Sequence, residues 1–248
     1  MHLRIAEQVF AKHPEVVLGV VTVQGVDNST IDPLIEEMLV GAVASLPERF
    51  GKVVPSQHPQ IAPWREAYRR FGAKPKKYPS SIENLVKRVL KGQTIAPINN
   101  LVAAYNTVSL NHLLPVGGED LDKIEGGVWL TAAGADEAPV QLLGEREARP
   151  PYPNEIIYKD DVGTICRRWN WKEADRTKLT PETRNAFFVI EAIPPISEDA
   201  VWKAATDLSG IIGLYCGGRV RTMILNRQNP SCLLEAPPLF LSDDAEAL

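Results

Sequence analysis

An α+β fold is the reading this chain supports, and three features carry it. A run of β-branched and apolar residues, VVLGVVTV at 16–23, has the pattern of a strand covered on both faces. Stretches with apolar residues at helical spacing then crowd the region up to His112. Beyond Pro115 the texture changes to short β-like runs, closed by one more helix and one more strand. Helices first and strands afterwards favour α+β over a regular βαβ alternation.

After Gly25 to Thr30 turns the chain, Asp32 before Pro33 makes a helix start, and Ile35, Met38, Leu39, Ala42, Val43 and Leu46 form one apolar stripe. Pro63 opens a second helix with Trp64, Ala67, Tyr68 and Phe71 on one face. Ser80 and Glu83 have capping-box spacing, and Ile82, Leu85, Val86, Val89 and Leu90 give the third helix its buried stripe. A fourth is expected from about Asn99 to His112, with Leu101, Tyr105 and Val108 on one face. Strand-like runs follow at 127–131, 141–143, 155–159, 162–167 and 186–193, and Asp160-Asp161 reads as a hairpin turn. Ser197 caps a last helix with Val201, Ala205, Leu208 and Ile212 inward, and 219–225 is a final strand.

At 248 residues, with 44% hydrophobic and 23% charged residues, the chain suits a globular protein. One domain is expected over 1–235, with a helix-rich half to about 115, a sheet-rich half to 235 and a flexible tail at 236–248; both ends read as loose. Cys166, Cys216 and Cys232 are odd in number and far apart, which argues against a disulfide framework or structural zinc and fits a reducing cytosol. The eight-residue run at 16–23 is too short to span a bilayer, so neither a membrane segment nor a targeting signal is read.

Net charge is −4, but its distribution is uneven. Between Trp64 and Lys91 stand nine basic residues, Arg65, Arg69, Arg70, Lys74, Lys76, Lys77, Lys87, Arg88 and Lys91, against Glu66 and Glu83. That segment carries +7 and leaves −4 − 7 = −11 for the rest. With Trp64, Tyr68, Phe71 and Tyr78 between the charges, it could grip a nucleic-acid backbone and stack on bases; it could equally be two helices with solvated outer faces.

Glu191 is the most informative single residue. It interrupts Phe187-Phe188-Val189-Ile190 and Ala192-Ile193, so its carboxylate is expected to be partly buried and to need a partner. That partner is either an arginine such as Arg167 or Arg168 in a structural ion pair, or a ligand at a pocket edge. Asp120, Asp122 and Glu125 lack the spacing of a calcium loop and read as a solvated turn. No two of His2, His13, His58 and His112 are four residues apart, and the chain has no nucleophile elbow, phosphate-binding loop or dinucleotide fingerprint.

The stretch INNLVAAYNTVSL at 98–110, followed by LLPVGGEDLDKIEGG at 113–127, resembles the opening motif of the tRNA-editing module of the phenylalanyl-tRNA synthetase β subunit. Asn99, Asn100, Asn106, Pro115, Asp120, Gly126 and Gly127 match that pattern. Pro181-Glu182-Thr183-Arg184-Asn185 leading into FFVIEA resembles its Glu-Thr-x-Asn segment and sets Glu191 on the family glutamate, which recognises the tyrosine hydroxyl of mischarged tRNA. The resemblance implies mixed sheets flanked by helices in three layers, tRNA or aminoacyl-tRNA as partner, and no metal or organic cofactor. It implies substrate contacts from Glu191, Asn99, Asn106 and Thr183, and RNA contacts from Arg65, Arg69, Lys74, Lys76, Lys77, Lys87, Arg88 and Lys91. Two positions depart from the family: Gly117 stands at its histidine and Ala103 at its aspartate. Ester hydrolysis is one expectation, a non-catalytic module that binds RNA, a free amino acid or another protein is the second, and a metabolic enzyme on a reused fold is a third.

Overall fold

The computed structural model describes residues 1–235, so the tail expected at 236–248 lies outside the described residues. Two sheets and a helical layer make up the molecule. A four-stranded sheet runs in the order β3 (Val116–Asp120), β8 (Asn185–Ala192), β2 (Val17–Gln24), β9 (Arg219–Leu225), with β2 antiparallel to both β8 and β9. A six-stranded sheet runs β10 (Ser231–Leu233), β1 (His2–Ile5), β4 (Val128–Ala132), β5 (Ile156–Lys159), β6 (Thr164–Arg167), β7 (Lys172–Glu173). Of the helices, α1 (Glu7–Lys12) and α3 (Ala62–Arg70) feed the core shared with the six-stranded sheet. The others, α2 (Pro33–Phe50), α4 (Ser81–Leu90), α5 (Asn100–His112) and α6 (Glu198–Tyr215), cover the far face of the four-stranded sheet.

Strand alternation explains this layering. In β2, Val17, Val21 and Val23 face the helices while Leu18 and Val20 face the other sheet, which is why the whole run is apolar. β8 repeats the pattern, with Phe188 and Ile190 toward the helices and Phe187 and Val189 toward the intersheet core. Gly19 lets α6 approach: a Cβ there would lie 2.9 Å from Val201 and 3.2 Å from Ala205.

The expected helix starts carry their caps. Asp32 accepts from the Leu34 N–H at 2.8 Å, Asn99 from Val102 at 3.0 Å and Ser197 from Ala200 at 3.3 Å. At Ser80 the capping box is only half made. Ser80 accepts from the Glu83 N–H at 3.4 Å, but the Glu83 carboxylate turns inward to Arg65 at 2.6 Å and to Lys87, since a fully buried charge must be paired.

Several local expectations give way to tertiary pairing. The N-terminus is tied down: β1 lies between β10 and β4, so the first residues form an interior strand. Val116–Asp120, which is not among the expected strand-like runs, forms β3, because its edge position on β8 supplies backbone partners that the glycines do not forbid. Asp120 is buried rather than solvated; its carboxylate accepts from the Thr183 hydroxyl at 2.7 Å and faces Lys123 at 3.1 Å. Residues 141–143 form isolated bridges instead of a strand, Leu142 pairing with Ala174.

Between α6 and β9 the backbone of Gly218 has φ 81°, and a Cβ there would stand 2.6 Å from the Gln24 carbonyl. Gly218→Ala is therefore expected to lower stability by more than about 1 kcal/mol, measurable as a fall in the thermal midpoint.

Candidate functional site

The intersheet space opens at the β3 edge into a cavity of about 320 Å³. Its floor is the intersheet face of the four-stranded sheet. Gly117 and Glu119 of β3 stand opposite Val189 and Phe187 of β8, and Glu191 follows two residues further along the same face. Tyr158 of β5, Cys166 of β6 and Glu173 of β7 form the facing wall, with Tyr158 opposite Cys166 and Cys166 opposite Glu173. Arg88 of α4 and Tyr105 and Asn106 of α5 close the remaining side.

Glu191 is 1% exposed and has no cation beside it among the described residues. Its Oε1 accepts from the Tyr158 hydroxyl and its Oε2 from the Asn170 side-chain amide, while Asn170 in turn accepts from the Tyr68 hydroxyl at 2.8 Å. Burial pushes the Glu191 carboxyl up to about 7, against the pull of those two donors. The Trp169 indole N–H also favours the charged form, although it lies outside ordinary hydrogen-bond geometry. Each carboxyl oxygen keeps a lone pair for a ligand.

The ion pair with Arg167 or Arg168 is not formed, because those cations are committed elsewhere. Arg167 grips the buried Glu155 through Nε at 2.9 Å and its terminal nitrogen at 2.8 Å. Arg168 stacks on the Tyr78 ring at 3.8 Å and the Trp171 ring at 4.4 Å, with Glu155 at 3.8 Å. Glu155 also accepts from the Arg168 backbone N–H at 3.1 Å. This anchors a turn in which Arg168 and Trp169 both have positive φ, 50° and 65°, and which delivers Trp169, Asn170 and Trp171 to the cavity. The only local sequence signal of this turn is the pair of tryptophans flanking Asn170.

Two further carboxyls face the same space. Glu119 is 5% exposed and its Oε2 has no hydrogen-bond partner among the described residues; Glu173 accepts from the Gly118 N–H at 3.3 Å. Burial, and then the neighbouring Glu173, push Glu119 well above the usual carboxylate range, and burial pushes Glu173 up to about 7. The Cys166 thiol is likewise raised, first by burial and then by these carboxyls, so it is no thiolate at neutral pH.

The B3/4 domain model matches residues 63–209. The chain belongs to the B3/4 domain family. An N-terminal fragment of the phenylalanyl-tRNA synthetase β-subunit from Pyrococcus horikoshii is similar in structure over 88% of this chain, with 12% identity and a TM-score of 0.46; this chain covers 50% of that fragment. No curated protein matches the chain. Every cavity-lining residue named above falls inside the B3/4 stretch.

Within this B3/4 domain the residues expected to touch substrate separate into two groups. Glu191 and Asn106 line the cavity. Asn99 does not: its side chain is spent on the α5 cap and on the Leu179 carbonyl at 3.3 Å. Thr183 is likewise occupied, donating to Asp120 and accepting from the Thr180 N–H at 2.9 Å. Both hold the B3/4 backbone rather than the cavity wall. Ala103 is fully buried in the helical core, while Gly117 borders the cavity, where a Cβ would meet Glu173 Oε1 at 3.0 Å.

The basic segment divides in the same way. Arg65 and Lys87 are spent on Glu83 and Arg69 on Glu66, whereas Lys74, Lys76, Lys77, Arg88 and Lys91 have no ion pair among the described residues. Trp64, Tyr68 and Phe71 are buried and cannot stack on bases; only Tyr78 of that group is partly exposed. No helix among the described residues is long and apolar enough to cross a membrane.

Proposed function

We propose that the cavity receives the aminoacyl group of a charged tRNA and that the protein hydrolyses the ester. One observation carries this reading: a buried carboxyl, Glu191, faces a cavity of amino-acid size bordered by Arg88 of the basic helix α4, and among the described residues neither has an ion-pair partner. Glu191 then reads a hydrogen-bond donor on the amino-acid side chain, and Arg88 with Lys76, Lys77 and Lys91 meets the phosphates outside. Pockets of this kind combine an apolar lining with a few placed polar groups.

Among the described residues no imidazole lines the cavity, and Cys166 is held as a thiol. The attacking species is therefore water, oriented between the walls and by the free ribose hydroxyl beside the ester. Water oxygen adds to the carbonyl carbon, the ester C–O bond breaks, and the departing ribose oxygen takes a proton. Orientation of this sort can supply a large part of a barrier reduction.

A panel of mischarged tRNAs incubated with the full-length protein tests the proposal through release of the amino acid. Glu191→Ala should slow release at least about tenfold, the loss of one charge-assisted hydrogen bond; no deacylation of any charged tRNA by the wild type would refute hydrolysis. Reversing Lys76, Lys77, Arg88 and Lys91 to glutamate should weaken tRNA binding and flatten its dependence on salt, by about 0.7 in log–log slope for each phosphate no longer neutralised. Unchanged binding would remove the basic surface from the proposal.

The second reading, a non-catalytic module that binds the same group, is favoured by Gly117, which places no side chain beside the scissile position. Stoichiometric binding of charged tRNA without turnover is its signature.

A further inference from the structure

Among the described residues, six Asp or Glu side chains are buried. Glu83 has Arg65 and Lys87, Asp120 has Lys123, Glu155 has Arg167 and Asp160 has Arg176, each with a nitrogen within 3.1 Å. The two without a cation are Glu191 and Glu119, and both line the one cavity. Glu191 is compensated by the Tyr158 and Asn170 donors. Glu119 is compensated less: among the described residues its Oε2 has no partner within hydrogen-bond geometry, and only the Thr177 hydroxyl and the charge of Arg176 favour its ionised form. Beside it Glu173, also without an ion pair, receives a single backbone N–H. The cations nearest in sequence are engaged: Lys172 holds Glu145 at 3.0 Å and Arg176 holds Asp160 at 2.8 Å.

A buried carboxyl left without a cation keeps its proton rather than its charge, and a protein that pairs four such groups internally has the means to pair a fifth. We propose that Glu119 and Glu173 form a subsite for an ammonium group of the ligand, the positive charge arriving with the occupant. The proposal rests on the cavity being the substrate pocket and adds what the substrate must carry: a free, protonated amine. A divalent cation is a poorer match, because hard metals want six or more oxygen ligands and no third His, Cys, Asp or Glu joins this pair into a metal-holding group among the described residues. Gly117 is part of the arrangement, since a side chain there would press on Glu173 Oε1.

Isothermal titration of the full-length protein at pH 7, where the α-amines are still largely protonated, with L-tyrosinamide, L-phenylalaninamide and L-lysinamide, their N-acetyl forms, and tyramine tests the subsite. Acetylating the α-amine of the preferred amide should cost at least about tenfold in affinity, and tyramine should retain binding. Glu119→Gln and Glu173→Gln should each erase the preference for the free amine. Glu191→Gln should change absolute affinity and leave the ratio of amine to N-acetyl form intact. A ratio set by the side-chain amine of lysinamide instead of the α-amine would satisfy the proposal equally and identify which ammonium is read. Equal binding of amine and N-acetyl forms, a preference that survives in the Glu119→Gln/Glu173→Gln double variant, or no binding of any probe at millimolar concentration would each overturn it. Because acetylation alters the ligand alone, that comparison is independent of whether a variant folds. If tyramine binds through Glu119 while charged tRNA is neither bound nor hydrolysed, the tRNA reading falls and the subsite stands. If charged tRNA and its N-acetylated form are processed alike, the subsite falls and the tRNA reading stands.

Discussion

Glu155→Ala will lose roughly 3–5 kcal/mol of unfolding free energy, the penalty for stranding one half of a buried ion pair. Arg167 is 3% exposed and its guanidinium has Glu155 as its only carboxylate partner among the described residues, held through two parallel hydrogen bonds of 2.9 and 2.8 Å. The same carboxylate accepts the backbone N–H groups of Arg168 and Tyr152, so its removal also frees the left-handed turn at Arg168 and Trp169. Urea unfolding measures the loss. The near-ultraviolet circular dichroism of the variant should change as well, because Trp169 packs edge-on against Trp64 and His13 from that turn. Replacing both partners, as Glu155→Leu with Arg167→Met, should recover only part of the stability, since it removes the stranded Arg167 charge but leaves the buried Arg168 and two backbone N–H groups without the carboxylate. A single variant within about 1 kcal/mol of wild type would mean that the turn is held by other contacts.

Glu191→Gln will flatten the dependence of stability on pH between about 4.5 and 7. With its carboxyl at about 7 in the folded protein and at 4.5 in the unfolded chain, Glu191 keeps a proton through a window in which the unfolded chain has released it. Its contribution is complete below about 4.5, falls as pH rises to 7 and is gone above, a span of roughly 3 kcal/mol. Glu173 acts in the same direction. His13 opposes them: burial lowers it to about 4, so its contribution is lost as pH falls from 6.5. The difference between wild type and variant isolates Glu191, and parallel profiles would show that it is ionised in the folded protein throughout. The same proton bears on function, because only the ionised form offers a full acceptor to a substrate hydroxyl.

The elements that could be read from the chain are those whose information is local. Helices α2, α4, α5 and α6 have their caps and apolar stripes within a few residues, and the strands β2 and β8 are apolar on alternate as well as adjacent positions because both faces are covered. β1, β3 and β10 are short, and their partners are supplied by segments far along the chain; His2–Ile5 becomes interior only because Val128–Ala132 and Ser231–Leu233 flank it. Of the residues expected to touch substrate, Glu191 and Asn106 line the cavity, whereas Asn99 and Thr183 serve the backbone. Asparagine at a helix start and threonine before a strand have side chains short enough to bond their own neighbourhood, and a motif match cannot separate that role from ligand contact.

Composition and pattern by themselves determined an α+β chain, the positions of its principal helices and buried strands, a basic segment at 65–91 and a carboxylate placed among apolar neighbours at 191. Which charges meet was decided by the tertiary structure alone. Arg167 and Arg168 stand close enough in sequence to have served Glu191, yet the fold turns one onto Glu155 and lays the other across Tyr78 and Trp171, leaving Glu191 to neutral donors. Glu119, Glu173 and Glu191 are 54 and 18 residues apart and share one cavity because β3, β7 and β8 bring them there. Periodicity fixes which way a side chain points from its own element; the arrangement of distant elements fixes what it finds there.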